Sequence, residues 1–425
     1  MLSSMSAALL TVPALSACGS SGSKSSGTSN STVELSFFYP VEAAGPLATT
    51  MTALVNDFNK AHPKIQVKPS FTGDYATNLT KLLTTVKGGN PPDVAILSLG
   101  DQLTMLDQKA LQPLNELADE TDISIPFDDF YPAFLDETKQ DGATYGLPFQ
   151  RSACILYYNA DALNAVGVTA APATWDDVVS AGTKLMAKKQ VQWGVQFPTG
   201  IWQYQGLAIE AGQDLNASDL SHVNFNTPAA VTALQWLVDL SAKYGVSPKG
   251  VIDGLVAPTA FTGGKVGILY NTSGSLTSVI QQSKFKVGTA FMPKKEAYGS
   301  PTGGGNLYIL KDIPTERKRA ALTFLEWMTQ PAQGARWSVA SGYIPARKAI
   351  VSTDEWKAFL QKYPQANTAT DELQYAVPSL RSHASNEVGS ALLDAMQAAV
   401  SGKASAASAL STAQKKADSI LAQYR

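Results

Sequence analysis

Cysteine is nearly absent. Only Cys18 and Cys154 occur in 425 residues, which excludes the disulfide framework that holds small secreted domains together. Histidine is as scarce. His62, His222 and His383 stand far apart, with none of the close spacings of zinc motifs, so no metal is expected. No Walker A sequence, no G-x-S-x-G elbow and no Rossmann fingerprint after the first strand is found, and no cofactor is expected. Charged residues make up 16% of the chain, the formal net charge is −2, and no dense Lys/Arg run occurs. Nucleic acid is therefore not an expected partner. No internal apolar run reaches the roughly 18 residues a membrane span needs. A glycoside hydrolase would need two carboxylates facing each other across a cleft. Asp74 and Asp101 are available, but no acidic pair is marked out by its setting.

What is present begins at the N-terminus. "LTVPALSACGSSGSKSSGTSNST" (Leu10–Thr32) is an apolar stretch that ends on a cysteine and passes at once into glycine and serine. Leu15, Ser16 and Ala17 stand before Cys18, which resembles the bacterial lipobox. That resemblance implies cleavage before Cys18 and lipid attachment to its thiol. The Gly/Ser run behind it reads as a flexible tether. No Lys or Arg precedes Lys24, so the charged start of such a signal is missing and the true translation start is expected upstream. Cys154 lies in the apolar stretch "ACILYYN" and reads as a small buried hydrophobe.

The folded part opens with an α/β rhythm. "VELSFFYP" is rich in strand formers. Leu47, Met51, Leu54, Val55 and Phe58 then recur at helical spacing, with His62 at the helix end and Pro63 beyond it. "KIQVKPSF" alternates as a strand, Leu79, Leu82, Leu83 and Val86 mark a second helix, and "PPDVAILSL" reads as a strand buried on both faces. Strand, helix, strand, helix, strand with short connections predicts a parallel sheet wound by helices. Further on, Thr174 and Asp177 form a capping-box pattern, and Thr227 with Pro228 opens another helix. Trp236 and Trp327 fall inside helical apolar patterns and read as core, and Trp175, just after its cap, as packed. "FPTGIWQYQG" reads as a loop in which Trp202 is exposed. The order fits two α/β lobes that exchange segments of chain. The expected divisions are residues 1–17 as a lipoprotein signal and 18–32 as the tether. Residues 33–145 form the first part of the N-terminal lobe, 146–310 mainly the C-terminal lobe with a crossover, and 311–425 helices completing both.

The segments "FNKAHPKIQVKPSFTGDYATNLTKLL", "GGNPPDVAIL", "YGLPFQRSACILYYN", "TWDDV", "FTGGKVGILYNTSGSL" and "SGYIPARK" resemble, in this order, the solute-binding proteins of ABC importers of the maltose-binding-like, carbohydrate-uptake group. The resemblance implies a two-lobed, periplasmic-binding-protein-like fold. A hinge closes a cleft over a small solute without chemistry, and the loaded protein docks on the transmembrane subunits of a permease. The implied partners are thus a polyol phosphate or sugar, the permease and, through Cys18, the membrane, for a monomeric protein outside the cytoplasm. Within the group, "FFYPVEAAGPL…GDYATNL…GGNPP" resembles most the glycerol-3-phosphate and glycerophosphodiester binders. That likeness implies ligand contacts at Tyr75, Ser152, Thr272, Ser273, Gly304 and Tyr343.

Two charged positions of that subfamily do not carry over. Its glutamate after the third strand is replaced here by Leu99 and Gly100, with Asp101 next, and its late arginine by Gly389. A phosphate would then have to be met by Arg151, Arg381 or both; Arg151 reads equally as half of a structural ion pair. "NTSGS" reads as a turn or as a site for an anion or sugar oxygen. A sugar would rely on Tyr75, Trp202 and Tyr343, because its C–H faces need flat rings. A secreted hydrolase and an adhesive lipoprotein are the rival classes; the second would be expected to show repeats or a long stalk.

Overall fold

The computed structural model describes residues 32–41, 43 and 45–425; Cys18 lies outside the described residues. The strand Val33–Tyr39 buries every second side chain, Leu35, Phe37 and Tyr39. It pairs in parallel with Ile65–Phe71 on one edge and Val94–Leu97 on the other. Helix Leu47–Ala61 buries Leu47, Met51, Leu54, Val55 and Phe58, and His62 ends it. Asp74 caps the next helix, Tyr75–Lys87, by accepting from Thr77 N at 2.7 Å. All four residues of Val94–Leu97 are buried, as a doubly covered parallel strand requires.

One sheet path runs through the whole molecule: Ile65–Phe71, Val33–Tyr39, Val94–Leu97, Ser300–Ile309, Gly146–Asn159, Val266–Thr272, Trp193–Gln196. Its middle is an antiparallel pair of long strands, Gly146–Asn159 and Ser300–Ile309. These two belong to both halves. Leu147 and Phe149 join the first hydrophobic core with Leu307, Tyr308 and Ile309. Cys154 and Leu156 join a second core, while Ala153, Ile155 and Tyr157 join a third on the other face of the same strand, following the two-residue period of a strand. Between the first core and the other two stand Gln150, Arg151 and Ser152, all buried and all polar. A strand that reads apolar, polar, apolar along its length is passing from one core to another. The lobes therefore meet at this point.

Later segments return to both halves. Phe324 on helix Thr315–Met328 meets Phe58 edge-on at 5.0 Å. Helices Ser385–Val400 and Ala406–Leu421 pack instead into the second core. Trp236 and Trp327 are buried. Trp175 stacks on Trp236 at 4.6 Å and donates its indole N–H to Glu210 at 2.6 Å.

One expected loop is a helix. "FPTGIWQYQG" contains the start of helix Ile201–Glu210, with Gly200 at its N-cap. Tyr204 faces inward, fully buried, and its hydroxyl donates to Ala230 O at 2.7 Å. Gly206 fits where a Cβ would meet the Met292 methyl at 2.8 Å. The glycines that suggest a loop here serve a cap and a close packing contact.

Candidate functional site

Where the lobes meet, a cleft of about 690 Å³ opens. Its floor is Gly303 and Gly304, the first two residues of the glycine run Gly303–Gly305, with Ser152 opposite Gly303. These glycines allow side chains and backbone to press directly on the strand. A Cβ on residue 303 would lie 2.5 Å from the Trp202 ring, and one on residue 305 would lie 2.8 Å from the Tyr75 hydroxyl. Trp202 is fixed further by its indole N–H, which donates to Thr302 O at 2.9 Å and Pro301 O at 3.2 Å. Tyr75 donates to Gln150 Oε1 at 3.0 Å. Tyr343 stacks on Trp337 at 6.0 Å and lies over Gly274.

Tyr75, Ser152, Trp202, Thr272, Gly304, Tyr343 and Arg381 all line this cleft. Two other expected residues do not. Arg151 is 1% exposed and turned away from the cleft. Its guanidinium donates to Glu137 Oε2 at 2.5 Å and to Asn306 Oδ1 at 3.1 Å, and lies 4.7 Å over the Phe134 ring. The physical reason is the strand period: Ser152 faces the cleft, so its neighbour faces the opposite side. Burial raises the Glu137 carboxyl above its ordinary 4.5, and the Arg151 cation is the largest effect pulling it back. Ser273 is likewise fully buried, its hydroxyl accepting from Ala153 N at 3.3 Å; Thr272 and Asn271 line the cleft instead.

Arg381 is the cation of the cleft. Its backbone N–H donates to Asn216 Oδ1 at 3.0 Å, and Leu380 N donates to Gln205 Oε1 at 2.7 Å, so its segment is tied to the C-terminal lobe. The guanidinium makes no hydrogen bond or ion pair among the described residues. Nearby, helix Ser385–Val400 begins after Ala384 with no side-chain cap, and Ser385, Asn386 and Gly389 line the cleft. An uncapped helix start presents N–H donors and a partial positive charge. Three carboxylates also line the cleft, each already holding backbone N–H groups. Asp74 caps its helix, Asp101 closes a capping box with Ser98, and Asp253 accepts from Leu255 N at 2.7 Å.

The loop Val251–Leu255 and the segment Ser379–Ser382 also contribute to the wall. Arg381 apart, neither carries a sequence signal, because both are irregular stretches placed only by tertiary contacts. Among the described residues no group of three or more His, Cys, Asp or Glu is arranged to hold a metal.

The chain is similar along most of its length to known binding proteins. The sn-glycerol-3-phosphate-binding periplasmic protein UgpB of Shigella dysenteriae is 25% identical over 94% of both chains, and that of Escherichia coli K12 is 24% identical over the same shares. Among solved structures, UgpB of Mycobacterium tuberculosis with glycerophosphocholine has a TM-score of 0.82 at 22% identity, covering 92% of this chain and 99% of that one. Maltose-bound MalE3 of T. maritima also scores 0.82 at 22% identity, covering 92% and 100%. These likenesses establish the two-lobed binding-protein fold. The family of bacterial extracellular solute-binding proteins matches residues 53–368, most of the described chain, and the protein belongs to that family.

Proposed function

We propose that the cleft captures a small polar solute of the glycerol phosphate or glycerophosphodiester class and delivers it to the membrane permease of an ABC importer. The observation that carries this reading is the Arg381 guanidinium, which makes no hydrogen bond or ion pair among the described residues and is set near the uncapped start of Ser385–Val400. An arginine fork matches a phosphate bidentately. Ser152, Thr272 and Asn271 supply hydroxyl and amide groups for the polyol. The 94% coverage by relatives named as binding sn-glycerol-3-phosphate supports the same class.

A neutral sugar is the second reading. It is favoured by Tyr75, Trp202 and Tyr343 on the cleft wall and by three carboxylates against one arginine. Calorimetric titration of glycerol-3-phosphate, glycerophosphocholine and maltotriose separates the two. In the phosphate reading Arg381→Ala weakens the phosphate ligand about ten- to a hundredfold, the equivalent of one charge-assisted hydrogen bond. Tight maltotriose binding with no response to either phosphate compound overturns it.

Attachment to the outer face of the membrane through lipidated Cys18 is part of the proposal. It rests on Leu15-Ser16-Ala17-Cys18 and the tether behind it, and agrees with an extracellular family. Buried acyl methylenes contribute roughly 0.8 kcal/mol each, so Cys18→Ser should move the protein from the membrane to the soluble fraction. Unchanged partitioning would refute the anchor.

A further inference from the structure

The glycine run on the cleft floor has no side chains with which to hold its own position. Glycine also has the largest range of backbone conformations to lose. Besides its backbone ladder with Gln150–Ser152, what holds it is found at its two ends. Before the run, the Thr302 hydroxyl donates to Glu137 Oε1. After it, Asn306 Oδ1 accepts from Arg151 Nη1 at 3.1 Å. Glu137 and Arg151 are joined to each other at 2.5 Å, so one buried ion pair grips both ends of Gly303–Gly305. Arg151, Glu137, Thr302 and Asn306 are each 4% exposed or less.

The same strand carries cleft side chains. The Thr302 carbonyl accepts the Trp202 indole N–H at 2.9 Å and the Ser379 hydroxyl. Trp202 lies against Gly303 and the Tyr75 hydroxyl against Gly305. A shift of the glycine run would therefore move both rings.

We infer that Glu137 and Arg151 are positioning residues for the binding cleft: they brace the glycine floor from behind and so set where Trp202 and Tyr75 stand, without touching solute. The inference rests on the reading of this cleft as the solute site. It also accounts for a charge pair kept in a dry interior, where a well-packed apolar pair of similar size would often be as stable. A brace must be directional, and hydrogen bonds from the two Arg151 Nη atoms to Glu137 and Asn306, with Thr302 on the other Glu137 oxygen, are directional where apolar packing is not.

The test needs no solute. The Trp202 indole ¹⁵N–H signal is identified by its loss in Trp202→Phe, and its hydrogen exchange is measured in Thr302→Val and Thr302→Ser. Valine keeps the branched shape but drops the bond to Glu137; serine keeps the hydroxyl. The expected result is a shifted Trp202 signal with exchange about tenfold faster or more in Thr302→Val, and near wild-type behaviour in Thr302→Ser, with the other tryptophan signals in place. If Trp202 is unchanged in both variants, or disturbed equally in both, the brace is refuted. Should Thr302→Val not fold, Thr302→Ala decides by the same criterion, since it also drops the hydroxyl that reaches Glu137. A displaced Trp202 in a protein that binds none of the three solutes above would uphold the brace and count against the solute reading.

Discussion

Gly304 lies so close to Gln150 that a Cβ on residue 304 would fall 1.5 Å from the Gln150 carbonyl oxygen. Its φ of +89° is also one that side-chain-bearing residues rarely adopt. The requirement for glycine here is thus steric before it is functional. Gly304→Ala should destabilise the fold by about 2–5 kcal/mol, combining left-handed backbone strain with overpacking. Urea denaturation measures this, and a loss below about 1 kcal/mol would show that the strands part easily.

The two arginines, Arg151 and Arg381, should separate cleanly. Arg151→Ala leaves Glu137 buried without its cation and should cost about 3–5 kcal/mol of stability. Arg381→Ala removes a half-buried guanidinium with no hydrogen bond or ion pair among the described residues and should stay within about 0.5 kcal/mol of wild type. Thermal unfolding of both variants, side by side, reports the contrast. Equal losses would contradict the placement of either side chain.

Stability should fall as pH rises, through two carboxyls that do not line the cleft, Glu210 and Glu372. Glu210 accepts from Trp175 and Glu372 from Met292 N at 2.9 Å, and each has a second buried oxygen with no hydrogen-bond partner among the described residues. Burial raises both well above the ordinary 4.5, and Glu372 raises Glu210 further. Their folded-state values lie above the unfolded ones. The stability they contribute is therefore complete below about pH 4.5 and is lost as pH climbs through the folded values. Melting temperatures of wild type and Glu372→Gln, taken from pH 4 upward, should converge or cross because the amide does not titrate. Parallel curves would refute buried neutral carboxyls.

Cys154 should be silent to thiol reagents in the native state. It is fully buried, and burial pushes its thiol up, away from the reactive thiolate. In a Cys18→Ser protein, labelling by a disulfide reagent should wait for unfolding and follow the denaturation curve. Rapid native labelling would mean that the strand Gly146–Asn159 opens.

Local pattern carries far in this protein. The 3.6-residue recurrence of Leu47, Met51, Leu54, Val55 and Phe58 and the two-residue alternation of Leu35, Phe37 and Tyr39 are visible in the chain because each element needs only its own buried face. Capping at Thr174 and Thr227 is equally local: hydroxyl and helix N–H are three residues apart. The helix at Ile201 is not legible in this way, since Gly200 and Gly206 mimic a loop until Met292 is seen packed against the second.

Local pattern was enough for the α/β order, for the capped helix starts at Thr174 and Thr227 and for the set of polar and aromatic residues from which a binding site could be made. Only the tertiary structure decided which of them meet. Arg151 and Ser152 are neighbours in the chain, yet one braces the interior and the other lines the cleft, because adjacent side chains on a strand point to opposite faces. Arg381 joins Ser152 from more than two hundred residues away because Asn216 and Gln205 hold its segment against the C-terminal lobe. No spacing in the chain encodes a contact of that kind. It exists only once two separate cores have formed and the polar stretch Gln150–Ser152 between them has become the floor on which they meet.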